Sequence, residues 1–215
     1  MSLTHQLKNI VVLVSGGGTN LQALIDAQER GEIKDGKISC VISSKPGAFA
    51  LERAEKHGIP SRVISRKEYS DTINYSNAIL EALKEEQADL IVLAGFMTIL
   101  SEDVVKAYPY KIINVHPALI PSFCGNGYYG LKVHEAALSY GVKISGATVH
   151  FVNEEADAGA IILQKPVEVK NNDTPETLQK RIMEQAEWKI LPEAVALFCS
   201  DKIKISGGKA FVIKD

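Results

Sequence analysis

The sequence has few cysteines and lacks a long hydrophobic run. Its three cysteines, Cys40, Cys124 and Cys199, show no CxxC pairing and are too few for a disulfide framework. This usage indicates a reducing compartment. The first apolar run, Ile10–Val14, is too short for a membrane span or for the apolar segment of a signal peptide. We therefore expect a cytoplasmic protein without a membrane segment.

The sequence also lacks an excess of charge of either sign. It has 24 Lys and Arg residues against 26 Asp and Glu residues, which gives a formal net charge of −2. No basic block is present, so we expect neither nucleic-acid nor membrane-surface binding, and a small-molecule ligand fits better. No His, Cys, Asp or Glu group has the spacing of metal ligands, and GxSxG is absent. We therefore expect no metal and no serine nucleophile.

Short β-branched runs alternate with helical patterns along the chain. With 215 residues, 46% of them hydrophobic, we predict one domain over residues 1–215. The alternation predicts an α/β fold with a doubly wound, mostly parallel sheet, helices on both faces and a ligand crevice at the carboxyl ends of the strands. We expect a long helix from Thr174 to be kinked or divided at Pro192. The main strand predictions are Ile10–Val14, Ile38–Ile42, Arg62–Ile64, Leu90–Ala94, Ile112–Val115 and Ala160–Val169.

A polar pair ends the fifth apolar run. Asn114 and His116 stand two residues apart, so on a strand they share a face. An amide donor beside a group that exchanges protons suits acyl-type transfer through an oxyanion. A polar strand end before a proline-rich turn is the alternative. The strand that starts near Gly146 runs into an acidic loop and can bring Asp157 to the same edge, which favours the first interpretation.

A glycine-rich segment, Ser15–Asn20, follows the first strand and opens the first helix. Free N–H groups and the helix dipole at such a place can hold an anion. The dinucleotide-binding motif GxGxxG does not match, because its last position is Leu21. The Walker pattern does not match either, because no Gly-Lys-Ser/Thr follows. We predict one phosphate group, helped by Thr19 and Asn20, rather than a dinucleotide. A glycine turn needed only for strand-to-helix packing is the alternative.

Four segments together resemble the phosphoribosylglycinamide formyltransferase family of purine biosynthesis, over nearly the whole chain. They are Ser15–Asn20, Leu93–Met97, Asn114–Pro121 and Gly146–Asp157. The Asn-x-His pair with a later Asp is shared by the wider formyltransferase superfamily, so it indicates the chemistry more than the substrate. The glycine loop narrows the range of possible substrates. The resemblance implies transfer of the formyl group of 10-formyltetrahydrofolate, a co-substrate, to the amine of glycinamide ribonucleotide, which gives formylglycinamide ribonucleotide and tetrahydrofolate. It leaves open a homodimer.

The resemblance also implies roles for individual residues. Asn114 would hold the oxyanion and His116 would donate a proton, while Asp157 would orient His116, raise its pKa and help remove the amine proton through water. Residues implied for the ribonucleotide are Gly18, Thr19, Asn20, Glu184, Gln185, Ala186 and Glu187. Residues implied for the folate are Arg66, Met97, Thr98, Ile99, Leu100, Asn114, Asn153, Glu154, Glu155, Ala156 and Asp157.

Several positions depart from the family pattern. The segment Ser122–Gly130 is longer than the usual turn, Thr98 and Trp188 replace an Arg and a His, and Ala158-Gly159 replaces a Gly pair. A methionyl-tRNA formyltransferase or a 10-formyltetrahydrofolate hydrolase would need an added domain, for which 215 residues leave no room. A phosphometabolite-binding module without catalysis is the alternative from another class.

Overall fold

The structure is a computed structural model that describes residues 6–213. Its main sheet has seven strands, and two further strands form a separate hairpin. The strands of the main sheet are β1 Lys8–Val14, β2 Gly36–Ser43, β3 Ser61–Val63, β4 Leu90–Leu93, β5 Ile112–His116, β6 Ile144–Phe151 and β7 Ile161–Glu168. The hairpin strands are β8 Ile203–Ser206 and β9 Lys209–Val212.

The main sheet is mostly parallel, as predicted. Its order is β3-β2-β1-β4-β5-β6-β7. The pairs from β3 to β5 are parallel, while β6 runs antiparallel to both β5 and β7. The chain reverses its direction of growth between β1 and β4, and the loops that follow these two strands flank a crevice at their carboxyl ends. The predicted crevice therefore lies beside the end of β5.

Helices cover both faces of the sheet. Their bounds are α1 Thr19–Glu29, α2 Phe49–Lys56, α3 Thr72–Glu85, α4 Glu102–Ala107, α5 Leu131–Tyr140, α6 Pro175–Ile182 and α7 Trp188–Cys199, with a short 3-10 turn at Arg66–Glu68. The side chain of Asp71 caps α3 at the N–H of Asn74, and Thr174 forms a capping box with Thr177 ahead of Pro175. Local sequence thus sets where these helices begin.

Two hydrophobic layers lie on opposite faces of the sheet. Along β1, Ile10 and Val12 belong to the layer packed under α1, α2, α6 and α7, whereas Val11 and Leu13 belong to the layer under α3 and α4. Alternate residues of a strand point to opposite faces, so a strand covered on both sides reads as one continuous apolar run. Among residues 6–213, no helix has the length and apolar character needed to cross a bilayer.

The C-terminal helical segment is divided, but not where the sequence predicted. A π turn at Met183–Glu187 separates α6 from α7, and α7 continues through Pro192. The prediction of a division at Pro192 is therefore wrong, while a kink at Pro192 stays a prediction. The π turn ends at Glu187, one residue before Trp188, whose carbonyl group stands four positions ahead of Pro192. It also places Glu187 at the boundary, and π turns often occur at functional sites.

Candidate active site

Asn114 and His116 lie at the carboxyl end of β5, in the middle of the sheet. They point to the same face because they are two residues apart on a strand. His116 is only 4% exposed, and Asn114 is partly buried. The antiparallel pairing of β5 with β6 places His150 directly opposite Asn114 and Thr148 opposite His116. The end of β5 is therefore lined by polar side chains from two strands.

His150 fixes the amide of Asn114. Its Nδ1 donates to the carbonyl oxygen of Phe151 at 2.8 Å, so its Nε2 is the ring atom that faces Asn114. The Nδ2 of Asn114 lies 3.3 Å from that Nε2. One N–H of the amide is thus used by His150, while the second points elsewhere. His150 was not among the predicted site residues, because nothing local shows which residue of β6 faces Asn114.

Asp157 lies between the two imidazoles. Its Oδ2 is 3.5 Å from Nδ1 of His116, and its Oδ1 is 3.6 Å from Nε2 of His150. The backbone N–H of Gly125 donates to Oδ2 at 2.9 Å. Burial opposes ionisation of this carboxyl, but its contacts with His150 and His116 and the hydrogen bond from the Gly125 N–H together hold the pKa of Asp157 below its ordinary value. The side chain is therefore a carboxylate at neutral pH.

His116 is neutral at rest. Burial lowers its pKa below 6.5, and the opposing effect of Asp157 does not make up the difference. The prediction that Asp157 raises the pKa of His116 is right for that pair, but the net shift has the opposite direction. Nε2 of His116 lies 2.8 Å from the carbonyl oxygen of Phe123 and donates to it. Nδ1 then carries the lone pair that faces Asp157.

The long segment Ser122–Gly130 contacts both of these side chains. It supplies the Phe123 carbonyl to His116 and the Gly125 N–H to Asp157. Within it, the thiol of Cys124 donates to the Pro121 carbonyl at 3.3 Å. Burial and the nearby carboxylate of Asp157 raise the pKa of Cys124, so the thiol stays protonated. This environment does not suit a nucleophile.

Thr148 holds the turn that follows β5. Its hydroxyl donates to the Ala118 carbonyl at 2.7 Å and accepts from the Ile120 N–H at 3.1 Å. Nε2 of Gln164 lies 3.0 Å from the same hydroxyl oxygen. Thr148 is completely buried. It was not among the predicted site residues, because its partners lie about thirty positions away in the chain.

Three loops meet at Ser15, ahead of α1. Its hydroxyl lies 2.6 Å from that of Ser44 and accepts from the N–H of Met97 at 2.9 Å. Gly18 has φ +69°, and a Cβ there would lie 2.6 Å from Cβ of Ala50. The turn therefore requires glycine for its left-handed backbone and for its close approach to α2.

Asn20 and Glu187 are brought together from opposite ends of the chain. Nδ2 of Asn20 donates to Oε2 of Glu187 at 2.7 Å, and both side chains are more than nine-tenths buried. Burial raises the pKa of Glu187 to about 7. Oδ1 of Asn20 has no partner among the described residues. A buried acid and an unpaired amide oxygen at the first turn of α1 form a polar patch that suits hydroxyl groups.

The other residues implied for the ribonucleotide divide into two groups. Thr19 and Glu184 line a groove of about 330 Å³ between α1 and the π turn, together with Trp188. Gln185 is exposed, whereas Ala186 is fully buried in the core. The side chain of Ala186 therefore does not face this groove.

The residues implied for the folate lie at the end of β5 and on the segments that follow β3, β4 and β6. After β4, Met97 is 54% and Ile99 75% exposed, Thr98 is half-buried, and Leu100 packs in the core under α4. This exposure of two large apolar side chains beside a crevice is typical of a binding surface rather than of core packing. Arg66 lies farther out, where it donates to the Tyr69 carbonyl at 2.8 Å.

The loop after β6 begins beside the start of β5, where the Val152 N–H donates to the Ile112 carbonyl at 2.8 Å, and reaches His116 through Asp157. Oδ1 of Asn153 accepts from the Glu155 N–H at 3.3 Å, and the side chains of Glu154, Glu155 and Ala156 are exposed. The loop closes at Gly159, where a Cβ would collide with the carbonyl oxygen of Phe151. Only glycine fits there, whereas the neighbouring position is exposed and accepts alanine. No group of three or more His, Cys, Asp or Glu side chains within residues 6–213 could hold a metal ion.

The chain is similar to known proteins over nearly its whole length. The sequence profile described as formyl transferase matches residues 8–195. A protein of Haemophilus influenzae named phosphoribosylglycinamide formyltransferase is 41% identical over 206 residues, which cover 96% of this chain and 94% of that protein. The crystal structure of glycinamide ribonucleotide transformylase 1 from Symbiobacterium toebii superposes with a TM-score of 0.91 at 38% identity, covering 98% of this chain and 96% of that one.

A longer human protein also matches. The trifunctional purine biosynthetic protein adenosine-3 of Homo sapiens is 44% identical over 215 residues, which cover 100% of this chain but 21% of that protein. The chain therefore spans about a fifth of the length of this trifunctional relative.

Proposed function

The chain belongs to the formyl transferase family, and from that premise we propose that it transfers the formyl group of 10-formyltetrahydrofolate to the amine of glycinamide ribonucleotide. The products are formylglycinamide ribonucleotide and tetrahydrofolate. The folate acts as a co-substrate, and the proposed reaction uses no metal. We further propose a cytoplasmic location, which suits the three free cysteines.

The observation that carries the proposal is the cluster of an amide, an imidazole and a carboxylate at one sheet edge. Asn114, His116 and Asp157 come from two different segments, and Asp157 lies 3.5 Å from His116. Asn114 is held by His150 and keeps one N–H free. A preorganised N–H donor stabilises negative charge that develops on a carbonyl oxygen. This combination suits attack of an amine on a formyl carbon.

The proposed reaction proceeds through a tetrahedral intermediate. The substrate amine attacks the formyl carbon, and the formyl oxygen becomes an oxyanion that accepts the free N–H of Asn114. His116 supplies a second donor through Nε2–H, which in the resting protein points to the Phe123 carbonyl. The oxyanion is a negative charge beside a buried imidazole, so it raises the proton affinity of His116 as it forms.

The carboxylate of Asp157 stabilises the proton that the amine loses. It is ionised, and it faces the lone pair of His116 Nδ1 across 3.5 Å, a gap too long for a direct hydrogen bond. A proton that reaches this pair through water is stabilised by the carboxylate. The same proton returns to N10 of the folate when the carbon–nitrogen bond to N10 breaks. Over the whole reaction, the amine therefore loses one proton and N10 of the folate gains one.

The two substrates approach from different sides. The phosphate of the ribonucleotide lies on Gly18, Thr19 and Asn20, at the start of α1, and the buried Asn20–Glu187 pair lies next to its sugar hydroxyls. The folate lies between the loops Met97–Leu100 and Asn153–Asp157. The first loop follows β4, the parallel neighbour of β5, and the second reaches the end of β5 through Asp157, which lies 3.5 Å from His116. The formyl group then reaches the end of β5.

The test is an absorbance assay with two cuvettes. Both contain the protein and 10-formyltetrahydrofolate, and only one contains glycinamide ribonucleotide. We expect the ultraviolet change of formyl release only in the cuvette with the ribonucleotide. Release in both would instead identify a hydrolase, and release in neither would leave a binding module. Asn114→Ala is the matched control, because it removes the oxyanion donor and should abolish most of the signal.

A further inference from the structure

Helix α2 holds the glycine loop through two carbonyl groups. The Ala50 N–H, at the start of α2, donates to the Gly16 carbonyl at 3.1 Å. One turn later, Nε of Arg53 donates to the Gly17 carbonyl at 2.9 Å. Two successive peptide groups of the loop are therefore anchored to the same helix.

These anchors decide where the N–H groups of the loop point. In a planar trans peptide, the carbonyl and the following N–H point in opposite directions. With the carbonyls of Gly16 and Gly17 turned toward α2, the N–H groups of Gly17 and Gly18 point away from it. Among the described residues, no protein group accepts from the backbone N–H of Gly17, Gly18, Thr19 or Asn20. The loop thus presents free donors on the side opposite α2, which is what an anion needs.

Arg53 is itself fixed by three contacts. Besides the Gly17 carbonyl, its Nη1 donates to Oε1 of Gln22 on α1 at 3.0 Å, and its guanidinium lies 4.9 Å from the centre of the Phe49 ring. Within residues 6–213, no carboxylate lies within ion-pair distance of it. Arg53 also lines the groove that contains Thr19. The side chain therefore joins α1, α2 and the glycine loop as a rigid fork.

We propose that Arg53 is a positioning residue for the phosphate of the ribonucleotide and acts through the peptide groups of Gly16, Gly17 and Gly18. The inference rests on the proposed function, because it concerns the same phosphate. It assigns to Arg53 a geometric role, in which the fork keeps the loop N–H groups turned toward the phosphate. A surface cation that only attracts the substrate would act through charge alone.

Three variants separate geometry from charge. Arg53→Met removes both hydrogen bonds and the charge but keeps an apolar chain over Phe49. Arg53→Lys keeps the charge, although one ammonium group cannot reproduce the fork. Lys56→Gln removes a charge from an exposed position of the same helix without touching the loop, and serves as the control.

Steady-state kinetics give the first measurement. For Arg53→Met, we expect the KM for glycinamide ribonucleotide to rise about tenfold, with the KM for the folate and kcat near the wild-type values. We expect the same rise at about 0.05 M and about 0.5 M KCl, because salt screens the attraction between charges but does not change the direction of the loop N–H groups. Arg53→Lys should recover only part of the loss, and Lys56→Gln should match the wild type.

Other results would overturn the inference. An unchanged KM for glycinamide ribonucleotide in Arg53→Met would show that the N–H groups of the glycine loop keep their direction without Arg53. A KM effect that disappears at high salt and is fully restored by Arg53→Lys would reduce Arg53 to a surface charge. If Arg53→Met does not fold, the variant Gln22→Ala tests the inference instead, because it removes the hydrogen bond between Gln22 and Arg53. An unchanged KM in that variant counts against the inference, and about a threefold rise supports it.

A binding measurement separates this inference from the proposed function. Phosphorus NMR titration with ribose 5-phosphate reports the phosphate site without turnover. Wild-type protein that binds ribose 5-phosphate but transfers no formyl group would refute the function alone. Wild-type protein that turns over, with Arg53→Met binding ribose 5-phosphate equally well, would refute the positioning role alone. We expect binding by Arg53→Met to be about tenfold weaker.

Discussion

A buried histidine without partners should make the fold sensitive to acid. His134, on α5, is completely buried, and neither of its ring nitrogens has a hydrogen-bond partner among the described residues. Burial, with a smaller contribution from His116, lowers the pKa of His134 to about 4. The unfolded chain exposes the same imidazole to water, where its pKa is about 6.5.

The size of the effect follows from the two pKa values. Between about pH 6.5 and pH 4 the unfolded chain binds a proton at His134 that the folded protein does not, so the free energy of unfolding falls as the pH falls. The shift of about 2.5 pH units, at about 1.4 kcal/mol per unit, gives a full loss of about 3.5 kcal/mol, of which about 3 kcal/mol is reached at pH 4, where half of the folded protein is itself protonated at His134. Above about pH 6.5 both states are neutral at this position, and the loss disappears.

Urea unfolding at pH 7 and pH 4 measures this loss. Many groups titrate over that range, so the comparison is between the wild type and His134→Leu. We expect the variant to lose about 3 kcal/mol less than the wild type between the two pH values. At pH 7 the variant should be at least as stable, because leucine leaves no buried nitrogen unpaired. Equal pH dependence in the two proteins would refute the reasoning.

Three further predictions concern the site and its loop. Asn114→Ala should lower kcat by a factor of about 10²–10³ with an unchanged circular dichroism spectrum, because it removes the oxyanion donor; near-normal turnover would contradict the assigned role. NMR titration of His116 should give a midpoint below pH 6.5 and a still lower midpoint in Asp157→Asn, which loses the carboxylate that favours the charged ring; a rise in the variant would reverse the assignment. Gly159→Ala should lower the free energy of unfolding in urea by about 1–3 kcal/mol, since its Cβ meets a backbone carbonyl, whereas the exposed change Ala158→Gly should stay within about 0.5 kcal/mol.

Much of the fold was predictable from local patterns. The apolar runs at Ile10–Val14 and Ile112–Val115 are strands of the main sheet, and the alternation with helices predicted its mostly parallel character. The π turn at Met183–Glu187 was not predicted. Proline is a visible local signal, whereas a π turn depends on how the helix packs against the sheet. The predicted division of the helix was therefore placed at Pro192 and not at the π turn.

The site divides in a similar way. The spacing of Asn114 and His116 already placed an amide and an imidazole on one face of a strand, because that relation is local. The contact of Asn114 with His150 depends on the register between β5 and β6, and a shift of one residue would turn His150 to the other face. The buried pair of Asn20 and Glu187 joins residues 167 positions apart.

The sequence by itself determined the strand and helix pattern, the glycine turn that leads into α1, and the polar pair that ends β5, since each depends on neighbouring residues. Only the tertiary structure decided the charge states and partners. His116 is neutral because it is buried, and Glu187 has a pKa near 7 for the same reason. Burial and cross-strand register are properties of the packed chain, because they arise when segments far apart in sequence exclude water from one another.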